Sequence, residues 1–264
     1  MAQRSTDQRL DGNEGSRLSS VVRTLTILEE LATTRQINLE RLAKQTRLPK
    51  PTLYRFMQTL CELGYVYRDG NDEYSLTLKM FSVSSHALEW MDLPAKARPI
   101  ADKLASELGE TVHVGIQEED HAIYILKVES KYTIRMYSRV GKVIPLYCTA
   151  IGKMLLSDFS PEDFARYAGS ITYTPYTART ITTREKLQKE LSQIRAKGIS
   201  RDREEHEEGI TCIAAPIRDY TKRVIAALSV SWPVFRFKQE HLDAYQRAIR
   251  DAAESISRLL GYLD

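Results

Sequence analysis

The sequence predicts an α+β protein in two domains: a small helix-turn-helix ending in a β-hairpin, then a larger domain of antiparallel strands flanked by helices. Three observations carry this prediction. From Leu39 to Leu63 apolar residues recur at i, i+3 and i+4 in two short runs, with Pro51 opening the second and Gly64 closing it. Tyr65 to Leu76 alternates about the turn sequence Asp69-Gly70-Asn71-Asp72. Beyond Thr111, alternating apolar runs are separated by amphipathic stretches, the pattern of a sheet packed against helices.

Residues 1–16 are polar and aperiodic and are expected to form a disordered tail. Arg17 to Thr34 is the first helix, with Ser16 as its cap. Leu18, Val21, Val22, Leu25, Leu28 and Leu31 form the stripe that should pack across the next two helices. Leu39 to Thr46 is the second helix, burying Leu39, Leu42 and Ala43, and Arg47 to Lys50 turn the chain. Pro51 takes the first position of the third helix, where its missing N–H has no partner to lose. Leu53, Phe56, Met57, Leu60 and Leu63 supply that helix's apolar face, and Gly64 is the residue just past its end. We assign residues 17–77 to this domain and 78–92 to a linker helix.

Residues 93–264 form the second domain. Leu93 to Leu108 is an amphipathic helix ended by Gly109. Thr111–Gln117 and Ala122–Val128 are strands across a turn at Glu118–Asp120, and Thr133–Tyr137 is a further strand candidate. Val143 to Lys153 runs into a short helix ending at Leu156, and Pro161–Tyr167 and Thr183–Lys197 are helices. Ile213–Ile217 and Val224–Ser231 are strands across the polar turn Asp219–Arg223. Gln239–Leu260 closes the chain as a long amphipathic helix.

Composition excludes several classes. No run approaches the roughly 20 apolar residues of a membrane span, and no apolar segment follows the N-terminus as in a signal peptide. Three cysteines, Cys61, Cys148 and Cys212, lie far apart and are odd in number, which argues against a disulfide framework and for the cytoplasm. His113, His121, His206 and His241 match no metal-ligand spacing, so neither a metal nor a cofactor is expected. Nucleophile-elbow, dinucleotide and P-loop motifs are absent. Cys212 has no identifiable base and reads as a small buried thiol, so no catalytic residue is assigned.

A net charge of +3 says little, but its placement says more. Arg41, Lys44, Arg47, Lys50 and Arg55 lie in a stretch without a carboxylate, and such a local basic surface neutralises phosphates. A hairpin directly after a recognition helix is the wing of a winged helix, so double-stranded DNA is the expected partner. Thr52, Tyr54 and Arg55 stand at the N-terminal end of the third helix, the part that meets base edges in the major groove. Leu53, between them, joins this contact set. Arg23, Arg47, Lys50 and the wing residue Arg68 are placed on phosphates.

Two stretches of the second domain carry ligand chemistry. Tyr147 to Lys153 opens a helix with small residues, where free N–H groups suit an anion and Thr149 equally suits an ordinary cap. Asp202 to Glu208 holds five carboxylates in seven residues, a composition usual for a solvated acidic loop.

In chain order, LPKPTLYRFMQTLCELGYV, YSLTLKMF, GETVHVGI, RMYSRVGKVIPLYCTAIGKMLL, DREEHEEGITCIAAPI and VIAALSVSWP resemble the IclR family of bacterial transcription regulators, from about Arg17 to Tyr262. TLYRFMQTL, YSLTLK, RMYSRVGK, PLYCTAIGK and EEGITCIA carry a nearer resemblance to its 2-keto-3-deoxygluconate (KdgR-like) branch. The resemblance implies a winged helix-turn-helix, a linker helix and a GAF-like effector-binding domain. It also implies a homodimer or tetramer on palindromic promoter DNA, no membrane, and release by a small carboxylic acid. The family's carboxylate-binding turn falls at Ala150 and Ile151, its polar pocket positions at Asp202, Cys212, Ser229 and Ser231, and its apolar walls at Met136, Ile144 and Ile210. Ala150-Ile151 is bulkier than the glycine-containing turn of glyoxylate-type members, which speaks against glyoxylate. The nearer branch implies a sugar-derived keto acid, whose hydroxyls would take Asp202, Ser229, Ser231 and Arg135 or Tyr147 as partners. An activator or dual regulator answering to an aromatic or other organic acid is the alternative; a keto-acid enzyme is the reading from another class.

Overall fold

Local capping chemistry shapes the N-terminal unit. The computed structural model describes residues 15–80, 82–83, 92–133 and 136–263, with side chains from residue 20 onward. It divides into two units, residues 1–90 and 91–264. The first holds α1 (Gly15–Ala32), β1 (Ile37–Asn38), α2 (Leu39–Thr46), α3 (Lys50–Glu62), β2 (Val66–Arg68) and β3 (Glu73–Leu76). The Asn38 side chain accepts the Arg41 N–H at 2.9 Å and caps α2, and Arg47, at φ 54°, ends it. α3 starts at Lys50, so Pro51 occupies the second helical position rather than the first; the N–H there is equally without a helical acceptor. Gly64, at φ +76°, closes α3 as its N–H reaches Cys61 O and the Tyr65 N–H reaches Leu60 O, both at 2.9 Å. Asn38→Ala is expected to destabilise this unit by about 1 kcal/mol. Denaturant unfolding followed by circular dichroism measures it, and an unmoved midpoint would show that the cap contributes nothing.

The helices and hairpin enclose Ile27, Leu31, Ile37, Leu42, Leu53, Met57, Leu60, Val66 and Tyr74. In α1 the structure departs from expectation. Ile27 and Leu31 carry its contact with α2 and β3, while Val21, Val22 and Leu25 are more than half exposed. The long apolar stripe is thus used only over the last turns, the ones that lie against those two elements. Leu63, expected on the apolar face of α3, is 51% exposed because it sits at the helix's C-cap. β1, which pairs Ile37 with Tyr74 of β3, is too short to show alternation. Most of the expected linker helix, residues 81 and 84–91, lies outside the described residues.

The second unit contains α4 (Leu93–Leu108), β4 (Thr111–Glu118), β5 (His121–Val128), β6 (Val143–Pro145), α5 (Ala150–Leu156), α6 (Pro161–Ser170), α7 (Arg184–Lys197), β7 (Ser200–Arg203), β8 (Ile210–Arg218), β9 (Val224–Pro233) and α8 (Leu242–Leu259). The strands form one antiparallel sheet in the order β6-β5-β4-β9-β8-β7. α4 and α8 bury one face against Val112, Leu126, Ile213, Leu228 and Trp232. α5, α6 and α7 bury the other against Tyr124, Cys212, Ala214 and Ala227. The central strands are covered on both faces, so side chains of opposite parity enter different cores.

Three expectations are corrected. The described residues of the Thr133–Tyr137 candidate (Thr133, Met136 and Tyr137) lie in no strand, and 134–135 are outside the described residues. The sixth strand is β7 instead, whose sequence SRDR shows no apolar alternation because its two inward residues, Ser200 and Asp202, are polar although buried. The last helix begins at Leu242, after a 3₁₀ turn at Gln239–His241. No helix among the described residues is long and apolar enough to cross a membrane.

Candidate DNA-contact face and ligand cavity

α2, the turn and α3 present their basic residues outward. Arg23, Thr52 and Arg55 line a shallow groove between α1 and α3 with Thr24, Pro51, Phe56 and Thr59. Arg47, Lys50 and Tyr54 are exposed beside it, and the Tyr54 hydroxyl accepts from Gln58 Nε2 at 3.3 Å. Arg47 and Arg55 form no ion pair among the described residues. Glu40, just outside the carboxylate-free stretch, lies 3.5 Å from Lys44 and 3.6 Å from Lys50. All three are well exposed, and such pairs are worth little in water, so both lysines can exchange Glu40 for a phosphate. In the wing, Arg68 donates to Asp72 Oδ1 from Nε at 3.1 Å and Nη2 at 2.7 Å. Leu53 leaves the contact set: it is fully buried against the helical core and offers no surface to a base.

In the second unit the sheet register builds a polar floor. Asp202 of β7 pairs with Cys212 of β8, which pairs with Ser231 of β9; Ser229 lies two residues along on the same face. The Cys212 thiol donates to Ser231 Oγ at 3.2 Å. The first turn of α5 supplies the opposite wall. Thr149 Oγ1 donates to Pro145 O at 2.7 Å and accepts the Gly152 N–H at 3.0 Å, and Thr149 O accepts the Lys153 N–H. That leaves the N–H groups of Ala150 and Ile151 at a point in the turn where no helical carbonyl is available.

Met136, Ile144, Ala150, Ile151, Asp202, Ile210, Cys212, Ser229 and Ser231 all line one cavity. Tyr124, Thr149, His206 and Glu207 line it too. None of these four is singled out as a ligand residue by sequence. Thr149 and the pair His206 and Glu207 lie inside the two stretches with ligand chemistry, but Thr149 also suits a helix cap and Tyr124 sits in an ordinary strand pattern. Its free volume is about 20 Å³, room for roughly one water. Arg135 lies outside the described residues. Tyr147 does not line the cavity; its hydroxyl donates to Thr174 O at 2.8 Å.

Burial sets the electrostatics. Asp202 and Glu205 are 4% and 5% exposed, so the acidic stretch is not the solvated loop its composition suggests. Burial pushes the Asp202 carboxyl up to about 7, although it accepts the Glu205 N–H at 2.7 Å. Burial likewise raises the Cys212 thiol and the Tyr124 hydroxyl and lowers His206. Asp202 binds its proton more tightly folded than unfolded. Its contribution to stability is therefore full at acid pH and is lost as pH rises from the ordinary carboxylate range through about 7. His113, held down near 3 by burial, works in the opposite direction between there and its ordinary value, so a difference measurement is needed. The melting temperature of Asp202→Asn minus that of the parent is expected to rise from pH 4 to 7 and then level off. A flat difference would contradict the assignment.

A winged helix-turn-helix unit and an α+β unit enclosing a polar-floored cavity define a class: a DNA-binding regulator that answers to a small molecule. The chain matches the IclR helix-turn-helix domain over residues 20–70 and the bacterial transcriptional regulator IclR C-terminal domain over residues 85–258. It is 42% identical over 248 residues to the HTH-type transcriptional regulator KdgR of Escherichia coli (strain K12), covering 94% of each chain. It is 40% identical over 248 residues to KdgR of Dickeya chrysanthemi, covering 94% of this chain and 81% of that one. The solved Thermotoga maritima IclR is similar at 31% identity and a TM-score of 0.62, covering 93% of this chain and 100% of that one. The chain belongs to the IclR family of bacterial transcriptional regulators. It is a ligand-responsive regulator by that membership, and its relatives are regulators rather than enzymes.

Proposed function

We propose that the chain is a cytoplasmic repressor that binds palindromic promoter DNA as a homodimer or tetramer and is released by a small carboxylic acid. A sugar-derived keto acid such as 2-keto-3-deoxygluconate is the leading candidate. The observation that carries the ligand reading is the convergence, between Met136 and Ser231, of nine separately named residues on one cavity. The free N–H groups of Ala150 and Ile151 are the donors for the carboxylate. Ser229 and Ser231 serve hydroxyls, and a protonated Asp202 donates as well as accepts. The nearness to two KdgR proteins supports the choice of sugar acid over glyoxylate, as does the bulk of Ile151.

Small-ligand sites commonly run to roughly 300 Å³ and more, so the walls of a cavity this small part on binding. Movement of the walls would shift the placement of paired DNA-binding heads, and half-sites at fixed helical spacing make affinity sensitive to that placement. Isothermal titration with 2-keto-3-deoxygluconate tests the ligand reading. Saturable binding by the parent and its loss in Ser229→Ala plus Asp202→Ala is the expected pair of results. Unchanged affinity in that double variant would overturn the residue assignment, and a parent indifferent to a panel of organic acids would overturn the reading itself.

A further inference from the structure

Lys153 is a fully buried cation that the ligand reading leaves without a role. It lies one turn along α5 from the Ala150–Ile151 wall. Its Nζ lies 2.5 and 2.6 Å from the two carboxylate oxygens of Glu205 and 3.4 Å from Glu190 Oε1 of α7. Glu205 belongs to the β7–β8 loop, and its N–H holds Asp202 Oδ1 at 2.7 Å. A single ammonium therefore joins the turn that offers N–H donors to the loop that orients the acid on the opposite wall. The loop is fastened from outside as well, by Thr177 Oγ1 donating to Glu204 O at 2.7 Å and Thr180 Oγ1 donating to Glu205 O at 2.6 Å.

Taking a lysine and a glutamate out of water is costly, and apolar residues of similar volume often serve stability as well or better. What an ion pair adds is a fixed distance and direction. An apolar contact lets two elements slide, whereas this bond sets their spacing. We propose that Lys153 and Glu205 are positioning residues that set the separation between the Ala150–Ile151 turn and Asp202, and so select the length of acid that the cavity accepts. This rests on the cavity being the effector site.

The test compares Lys153→Met plus Glu205→Leu with the parent, in the full chain. The ratio of Kd for pyruvate to Kd for 2-keto-3-deoxygluconate is read by isothermal titration, with melting temperature and ligand-free promoter binding as controls for folding. The double variant is expected to fold, bind promoter as the parent does, and change that ratio by about tenfold, the scale on which one methylene of misfit is felt. If it does not fold, Glu205→Gln, which keeps the shape and removes the charge, takes its place, and a change in the ratio well beyond about twofold is again expected. A ratio within about twofold of the parent's in a folded variant overturns the positioning role and leaves the cavity reading standing. A parent that binds neither acid overturns both.

Discussion

Gly152→Ala is expected to destabilise the C-terminal unit by about 3 kcal/mol, against the direction that helix propensity alone would give. An alanine in a helix interior is favoured over glycine by about 1 kcal/mol. Here space decides. A Cβ at Gly152 would lie 2.3 Å from Leu146 Cα and 2.4 Å from Leu146 O. Both are backbone atoms, so no rotamer change relieves the clash, and α5 must lift away from the chain that enters it. Ala150, Ile151 and Lys153 would move with it, so ligand binding should fail together with stability. Thermal unfolding checks the prediction: the melting temperature should fall by roughly 6–12 °C for a unit of this size. An unchanged or raised value would mean that the α5 backbone is not seated on Leu146.

Arg55→Ala is expected to weaken binding to the cognate promoter by about 1–3 kcal/mol and to narrow the gap between cognate and unrelated DNA. Arg55 is exposed in the groove beside α3 and is not tied up in an ion pair among the described residues, so its guanidinium is free to meet a base edge. Lys50→Ala should behave differently. It should weaken all sequences about equally and lower the slope of log affinity against log salt by about one. Fluorescence anisotropy at several salt concentrations separates the two. Equal losses on cognate and unrelated DNA for Arg55→Ala would return it to the phosphate-contact group.

What was legible in the sequence depended on whether the signal was local. Pro51, Gly64, Gly109 and Thr183 mark helix ends by their own backbone or hydrogen-bonding chemistry, and the helices they bound appear within a residue or two of expectation. β7 was not legible, because its buried positions, Ser200 and Asp202, are polar and SRDR shows no apolar alternation. The burial of Asp202 and Glu205 was not legible either, because the cation that accompanies them, Lys153, is distant in sequence. Tyr124 shows a third kind of failure. Simple alternation puts it on the same face as Leu126, yet Leu126 joins the core under α4 and α8 while Tyr124 faces the cavity. The register shift opposite Val114 and Gly115 reverses the face between them, and nothing in AIYILKV announces a bulge. Leu53 went wrong in the opposite way: its place between Thr52 and Tyr54 suggested contact, but helical geometry turns it inward. The nine cavity residues were named by resemblance to a family, whereas the residues alone pointed only to the Tyr147–Lys153 turn and the acidic stretch after it.

The most direct test of the central claim is fluorescence anisotropy of the chain on DNA from upstream of its own gene, at fixed salt, with and without 2-keto-3-deoxygluconate. Specific binding that the compound weakens in a saturable way, with unrelated acids having less effect, is the expected result. Specific binding that no sugar-acid catabolite alters would contradict the proposed release mechanism while leaving the winged helix-turn-helix as a DNA-binding unit.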